Sequence, residues 1–151
     1  MSFNEQSISE AFNKAVIKTF ADMAFIDVIS EHHHEGNISY SGIMGLEFSH
    51  PGRGYILFYM TKDCKKHLVE NIYGEEWINL SDMEIDDCLL EILNVLAGEF
   101  LKNLYGEREK VAMSFPRLYF DEETVPVDPG QLKFVYNGEG ALFFARLSLD
   151  E

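Results

Sequence analysis

No stretch of this sequence holds 18 consecutive apolar residues, so no transmembrane helix is expected. Cysteine is nearly absent. Cys64 and Cys88 are the whole complement, and both fall on segments of helical pattern, which excludes a disulfide framework. Buried free thiols in a reducing cytoplasm are the expectation. Basic residues are also few, 12 Lys and Arg against 26 Asp and Glu, for a formal net charge of -14. A field of that sign repels phosphate backbones and anionic lipid headgroups, so neither nucleic acid nor a membrane surface is an expected partner. The opening residues, MSFNEQSISE, have neither a basic region nor an apolar one, so no secretory signal is expected and the protein is read as cytoplasmic.

What is present describes a folded domain. The chain has 151 residues, 46% of them hydrophobic and 13% aromatic. That length favours one domain, residues 1–151, burying roughly 70% of the surface its unfolded chain exposes. Ser7 to Glu10 has the form of a capping box, and Ile8, Ala11, Phe12, Ala15, Val16 and Phe20 follow at helical spacing, which predicts a helix from Ser7 to Met23. Strands are predicted around Val28 to His34, over Asn37 to Phe48 by period-two alternation, and from Tyr55 to Met60 after the turn cluster His50-Pro51-Gly52-Arg53-Gly54. Helices follow from Thr61 to Tyr73, closed by Gly74, and from Ser81 to Tyr105, closed by Gly106. Val111 to Phe120 is of β type, and Asp121 to Gly130 is a loop. Leu132 to Tyr136 and Ala141 to Leu149 read as strands joined at Asn137-Gly138. The expected architecture is α+β: a six-stranded, largely antiparallel sheet with about three helices, in the order α-β-β-β-α-α-β-β-β.

The helix after Ser81 carries the most informative pattern. At 100° per residue, Cys88, Leu89, Ile92, Leu93, Val95, Leu96, Phe100 and Leu104 spread over more than half of its circumference. Glu84, Asp87, Glu91, Asn94, Gly98 and Lys102 gather in one narrow stripe, with Asp87, Glu91, Asn94 and Gly98 stacked along a line. An ordinary solvated face is the plain explanation. Solvated faces, however, are normally filled by Lys, Glu, Gln or Arg, whereas Asn costs roughly 0.7 and Gly roughly 1 kcal/mol relative to Ala in a helix interior. Gly removes bulk and Asn offers a neutral donor and acceptor, so this seam reads as a surface that another molecule approaches closely.

Asp87-x-x-x-Glu91-x-x-Asn94, followed by Pro116, resembles the signature of the CheC/CheX family of chemotaxis phosphatases. The element order resembles the single-motif CheX type, over nearly the whole chain. The interval from Asn94 to Pro116 is one residue short of the family's, which implies a shortened turn near Gly106, and the second motif copy of CheC is missing. The resemblance implies hydrolysis of the aspartyl phosphate on a CheY-like response-regulator receiver domain, which supplies the Mg²⁺ and most of the active site. Asn94 would hold a water in line with phosphorus, as a Gln does in small GTPases, and Glu91 would pair with the receiver's lysine. Asp87 and Gly98 would line the partner contact. A hundredfold acceleration asks for about 2.7 kcal/mol, within what positioning one water supplies. The resemblance further implies a homodimer joined through β-sheets, to which strands apolar on both faces, such as Tyr55 to Met60, lend support.

The remaining motifs are weaker. His32 and His34 would share a strand face but lack a third ligand, so no metal is expected on this chain. Asp82-x-Glu84-x-Asp86 echoes a calcium loop, yet its sixth position is Asp87 and its twelfth Leu93, and acids in a first helical turn already suit the helix dipole. Pro51-Gly52-Arg53-Gly54 lacks the features of a phosphate loop. Two rival readings stand beside the phosphatase. One is a non-catalytic adaptor that binds a receiver or a flagellar switch component through the same helix face, and the other is a small ligand-binding domain.

Overall fold

The computed structural model describes residues 3–31, 38–125 and 132–150. The first helix, α1, runs Glu5–Ala24. Its cap is Asn4, whose side chain accepts from the Ser7 amide at 2.7 Å. The expected capping box at Ser7 and Glu10 is therefore corrected: both residues lie inside the helix, because Asn4 already satisfies the free amide. Strand β1 covers Val28–Ser30 and stops short of the expected His34, which lies outside the described residues together with the rest of the histidine run. Strand β2 is Ile43–His50 and β3 is Arg53–Met60. The strand expected from Asn37, a position outside the described residues, begins only at Ile43, and residues 38–42 are not strand. Gly42 takes φ +97° and turns the chain, and Tyr40 folds back edge-on against Tyr59, with ring centroids 5.1 Å apart.

Helices α2, Lys62–Tyr73, and α3, Asp82–Tyr105, begin at Thr61 and Ser81 and end at Gly74 and Gly106, as the pattern predicted. Ser81 and Glu84 form a complete capping box. The β-type run after Val111 divides into β4, Ala112–Met113, and β5, Arg117–Tyr119, so the sheet has seven strands and not six. Pro116 lies in the break, where a residue without an N–H cannot continue a ladder. Leu132–Gly138 is β6 and Ala141–Asp150 is β7. Their turn is Glu139-Gly140 and not the expected Asn137-Gly138. Gly138 pairs with Ala141, Glu139 and Gly140 take φ 52° and 96°, and the Asn137 side chain accepts from the Gly140 amide at 2.7 Å. Two positive φ values are what a tight hairpin turn demands.

All strand pairs are antiparallel, in the order β1-β6-β7-β3-β2-β4, with β5 also on β2. The helices cover one face. Phe12 of α1 meets Phe58 of β3, Phe100 of α3 and Phe134 of β6, with centroids 4.8 to 6.0 Å apart, and so ties two helices to the sheet. The second face holds Ile43, Tyr55, Leu57, Tyr59, Val125 and Phe144. Cover there comes from within the chain, through Ile38, Tyr40 and Val125. The double-sided apolarity of β3 is therefore met inside the chain.

Candidate functional site

The seam of α3 begins with its orientation. Cys88, Leu89, Ile92, Leu93, Leu96 and Phe100 are buried against α1 and the sheet, which leaves the stripe from Glu84 to Lys102 on the outside. Val95 and Leu104, grouped with the buried set by pattern, are only half-buried. Two side-chain amides tie α1 to the other helices: Asn103 of α3 donates to the Ala11 carbonyl at 3.2 Å, and Asn71 of α2 to the Ala24 carbonyl at 2.8 Å.

Within the stripe the residues divide by use. The Glu84 carboxylate accepts from the Ser81 amide at 3.0 Å, so it serves the helix cap. Asp87, Glu91 and Asn94 make no hydrogen bond or ion pair among the described residues. Asp87 and Glu91 are exposed, while Asn94 and Gly98 are half-buried. A side chain added at Gly98 would meet nothing within 4 Å. Glu91 and Asn94 are one helical turn apart, about 4.5 Å along the axis, and project the same way. The four residues picked out by sequence are thus together on one open face, with a carboxylate, an amide and a place without bulk in a row.

The electrostatics leave this face to its own charges. Cys88, on the buried side of α3, has its thiol pushed up to about 11 by burial, and burial likewise pushes Cys64 up to about 12, so both are poor nucleophiles at neutral pH. Burial pulls the Lys65 ammonium below its usual range, against an opposing pull from Asp86 on α3. Its Nζ donates to the Ser41 carbonyl at 2.7 Å, which pins the chain beside Gly42. Among the described residues no group of three or more His, Cys, Asp or Glu could hold a metal ion. Among the described residues no helix is long and apolar enough to cross a membrane.

One feature of the neighbourhood escaped sequence reasoning. Phe115 and Phe120, read as part of a strand, are 90% and 92% exposed, and they flank β5, which packs beside α3. The available signal was Pro116 inside the run, which demotes it to an edge strand.

An antiparallel α+β domain with a polar helix face, and not a closed pocket, is the class that fold and site define. The family model described as chemotaxis phosphatase CheX matches residues 40–135. The chain belongs to that family. Its fold is similar to a chemotaxis protein CheX of Desulfovibrio desulfuricans, with a TM-score of 0.73 at 16% identity over 95% of this chain and 99% of that one. It is equally similar to CheX of Vibrio vulnificus, with a TM-score of 0.74 at 15% identity over 95% and 99% of the two chains. A CheX-CheY-BeF₃-Mg²⁺ complex from Borrelia burgdorferi matches with a TM-score of 0.67 at 17% identity, over 95% of this chain and 98% of that one. No curated relative matches the chain in sequence.

Proposed function

We propose that this chain is a cytoplasmic phosphatase that hydrolyses the aspartyl phosphate of a CheY-like receiver domain. Membership of the CheX family supports this class of activity. The observation that carries the residue assignment is the unpartnered Glu91–Asn94 pair on the exposed seam of α3. Every structural duty nearby is performed by other residues: Glu84 caps the helix and Asn103 holds α1. In the proposed mechanism the receiver brings Mg²⁺ and the phosphorylated carboxylate. Asn94 enters beside the phosphoryl group, its carbonyl accepting from a water and its N–H₂ donating, so that a water oxygen faces phosphorus opposite the scissile P–O bond. An amide orients water without taking its proton, and positioning is the main service this reaction needs. Glu91 pairs with the receiver's lysine and fixes the approach. The fold similarity to a CheX solved with CheY, BeF₃ and Mg²⁺ lends this partner weight.

The direct test is loss of phosphate from a phosphorylated receiver domain of the same organism, with and without this chain. Acceleration of about 100-fold is expected. An unchanged lifetime with intact receiver binding would hand the case to the adaptor reading.

Asp87 and Gly98 are assigned to the partner contact. Gly98→Ala is expected to stabilise the chain by up to about 1 kcal/mol, since Ala is the better helix former and the added methyl meets nothing within 4 Å. The same methyl stands on the side the receiver approaches, so receiver affinity should fall. Thermal melts and titration of the receiver check the two opposite signs. A homodimer is also proposed, expected in light scattering at micromolar concentration as twice the chain mass of 17.3 kDa. With the second sheet face covered from within, a sheet edge is the part of the sheet left to form it. A strict monomer would remove this proposal.

A further inference from the structure

Met83 is 73% exposed in the first turn of α3, at the N-terminal end of the polar seam. It stands four residues before Asp87 and eleven before Asn94, so helical geometry puts the three side chains on one line. Side chains at i and i+4 have Cβ atoms about 5–6 Å apart, which sets Met83 beside Asp87. The other residues of the seam, from Glu84 to Lys102, are polar or glycine, so Met83 supplies its exposed apolar surface. Leu90 and Val95 flank the line but are half-buried.

A second apolar group meets this end of the seam from another helix. Tyr73 is the last residue of α2, and its hydroxyl donates to the Glu84 carbonyl at 3.1 Å. Desolvation raises the pKa of this phenol, and Cys88, Glu84 and Asp87 raise it further, in keeping with a ring set against this stretch of α3. The ring is held at both ends, by its backbone in α2 and its hydroxyl on α3, yet the residue remains 40% exposed. A side chain fixed in this way has little freedom left to lose on binding. Tyrosine and methionine are both enriched at interfaces.

The size of an interface decides the occupant. A specific complex covers about 800 Å² on each partner, equivalent to a disc of about 16 Å radius. Met83 is about 14 Å along the helix axis from the midpoint of Glu91 and Asn94. One unbroken helix carries all three, so a molecule seated on the Glu91–Asn94 pair extends over Met83 and the Tyr73 ring beside it. The pair itself recognises charge and water, and polar groups of that kind contribute orientation more than affinity. Apolar burial has to come from the margin of the seam.

We propose that Met83 and Tyr73 are a receiver-binding contact at the N-terminal end of the seam, which extends the site from α3 onto α2. This rests on the receiver-phosphatase reading and adds residues that supply affinity, distinct from the pair proposed to act on phosphate. Such contacts are made equally in the ground and transition states, so their loss falls on KM and leaves kcat unchanged.

The test uses the full chain carrying Met83→Ala, Tyr73→Ala, Tyr73→Phe, or both alanine substitutions. Ile29→Ser, on the outer strand β1 at the sheet edge remote from β2 and β5, is the control. Affinity is measured for a receiver domain loaded with beryllofluoride and Mg²⁺, alongside KM and kcat for the phosphorylated receiver. Each single alanine variant is expected to raise Kd and KM about tenfold, with kcat and the circular dichroism spectrum unchanged. Tyr73→Phe keeps the ring and should stay within about twofold of the parent, as should Ile29→Ser. A double alanine variant that binds within about twofold of the parent would overturn the proposal. So would a Tyr73→Phe variant as weak as Tyr73→Ala, since the hydroxyl's tie between the helices, and not the ring, would then be what binding needs. Failure of the parent chain to bind the loaded receiver would remove the receiver reading and this proposal with it. Because Kd is read without hydrolysis, failure here is separable from failure of the phosphatase reading, which is judged by Asn94 alone.

Discussion

Asn94→Ala should lower the single-turnover rate of receiver dephosphorylation by about 100-fold while receiver affinity stays within about twofold. The asymmetry follows from what an amide does. It makes no hydrogen bond or ion pair among the described residues, so its removal leaves nothing unsatisfied inside the chain. Its proposed hydrogen bonds to water become worth most when that water is aligned with phosphorus, which is a property of the transition state. Glu91→Ala should behave differently. A carboxylate paired with a lysine contributes before and during hydrolysis, so affinity and turnover should fall together, each by about tenfold. Both variants should fold, because Ala is favoured in a helix and both positions lie on the outer seam. Circular dichroism checks folding, and titration with rapid-quench kinetics checks the rest. Turnover by Asn94→Ala at the parent rate would end the phosphatase assignment and leave the adaptor in its place.

The second large effect is on stability. Phe12→Ala is expected to destabilise the chain by about 3–5 kcal/mol in chemical denaturation. Phe12 is fully buried, and its ring packs on Phe58, Phe100 and Phe134, from β3, α3 and β6. Truncation removes the transfer free energy of the ring and opens a void at a point where α1, α3 and the sheet meet, so no single element can move in to fill it. Against a total stability of roughly 5–15 kcal/mol, such a loss lowers the melting point by about 10 °C or more. Phe12→Leu should recover most of it. A loss below about 1 kcal/mol for Phe12→Ala would mean that the helix layer is held elsewhere.

The helices were legible in the sequence because their signals are local. Thr61, Gly74, Ser81 and Gly106 each act within one turn of themselves, and the structure ends α2 and α3 where those residues stand. The seam was legible for a related reason: period 3.6 over more than five turns of α3 separates Glu91 and Asn94 from Ile92 and Leu93 without reference to the rest of the fold. Strand limits depend instead on what covers the sheet. Ile38 and Tyr40 alternate like strand residues, yet they serve as cover for Tyr59 and Phe144 on the second face. A residue that belongs in a strand and one that lies upon it have the same hydrophobicity. Phe115 and Phe120 read as part of a β-type run for the same reason, since no local pattern distinguishes an aromatic ring that is buried from one that stands in solvent.

Gly98 offers a way to make a signalling pair private. Space around it is open, and it stands on the same line as Glu91 and Asn94, so a larger side chain installed there acts as a bump that native receivers cannot accommodate. Under the proposed reading, a receiver pared back at the facing position would regain the fit, so the altered chain would be confined to that receiver. In a cell with many receivers of one fold, a single helix position would then decide which of them this chain engages, while Glu91 and Asn94, the residues proposed to act on the phosphoryl group, would stay untouched.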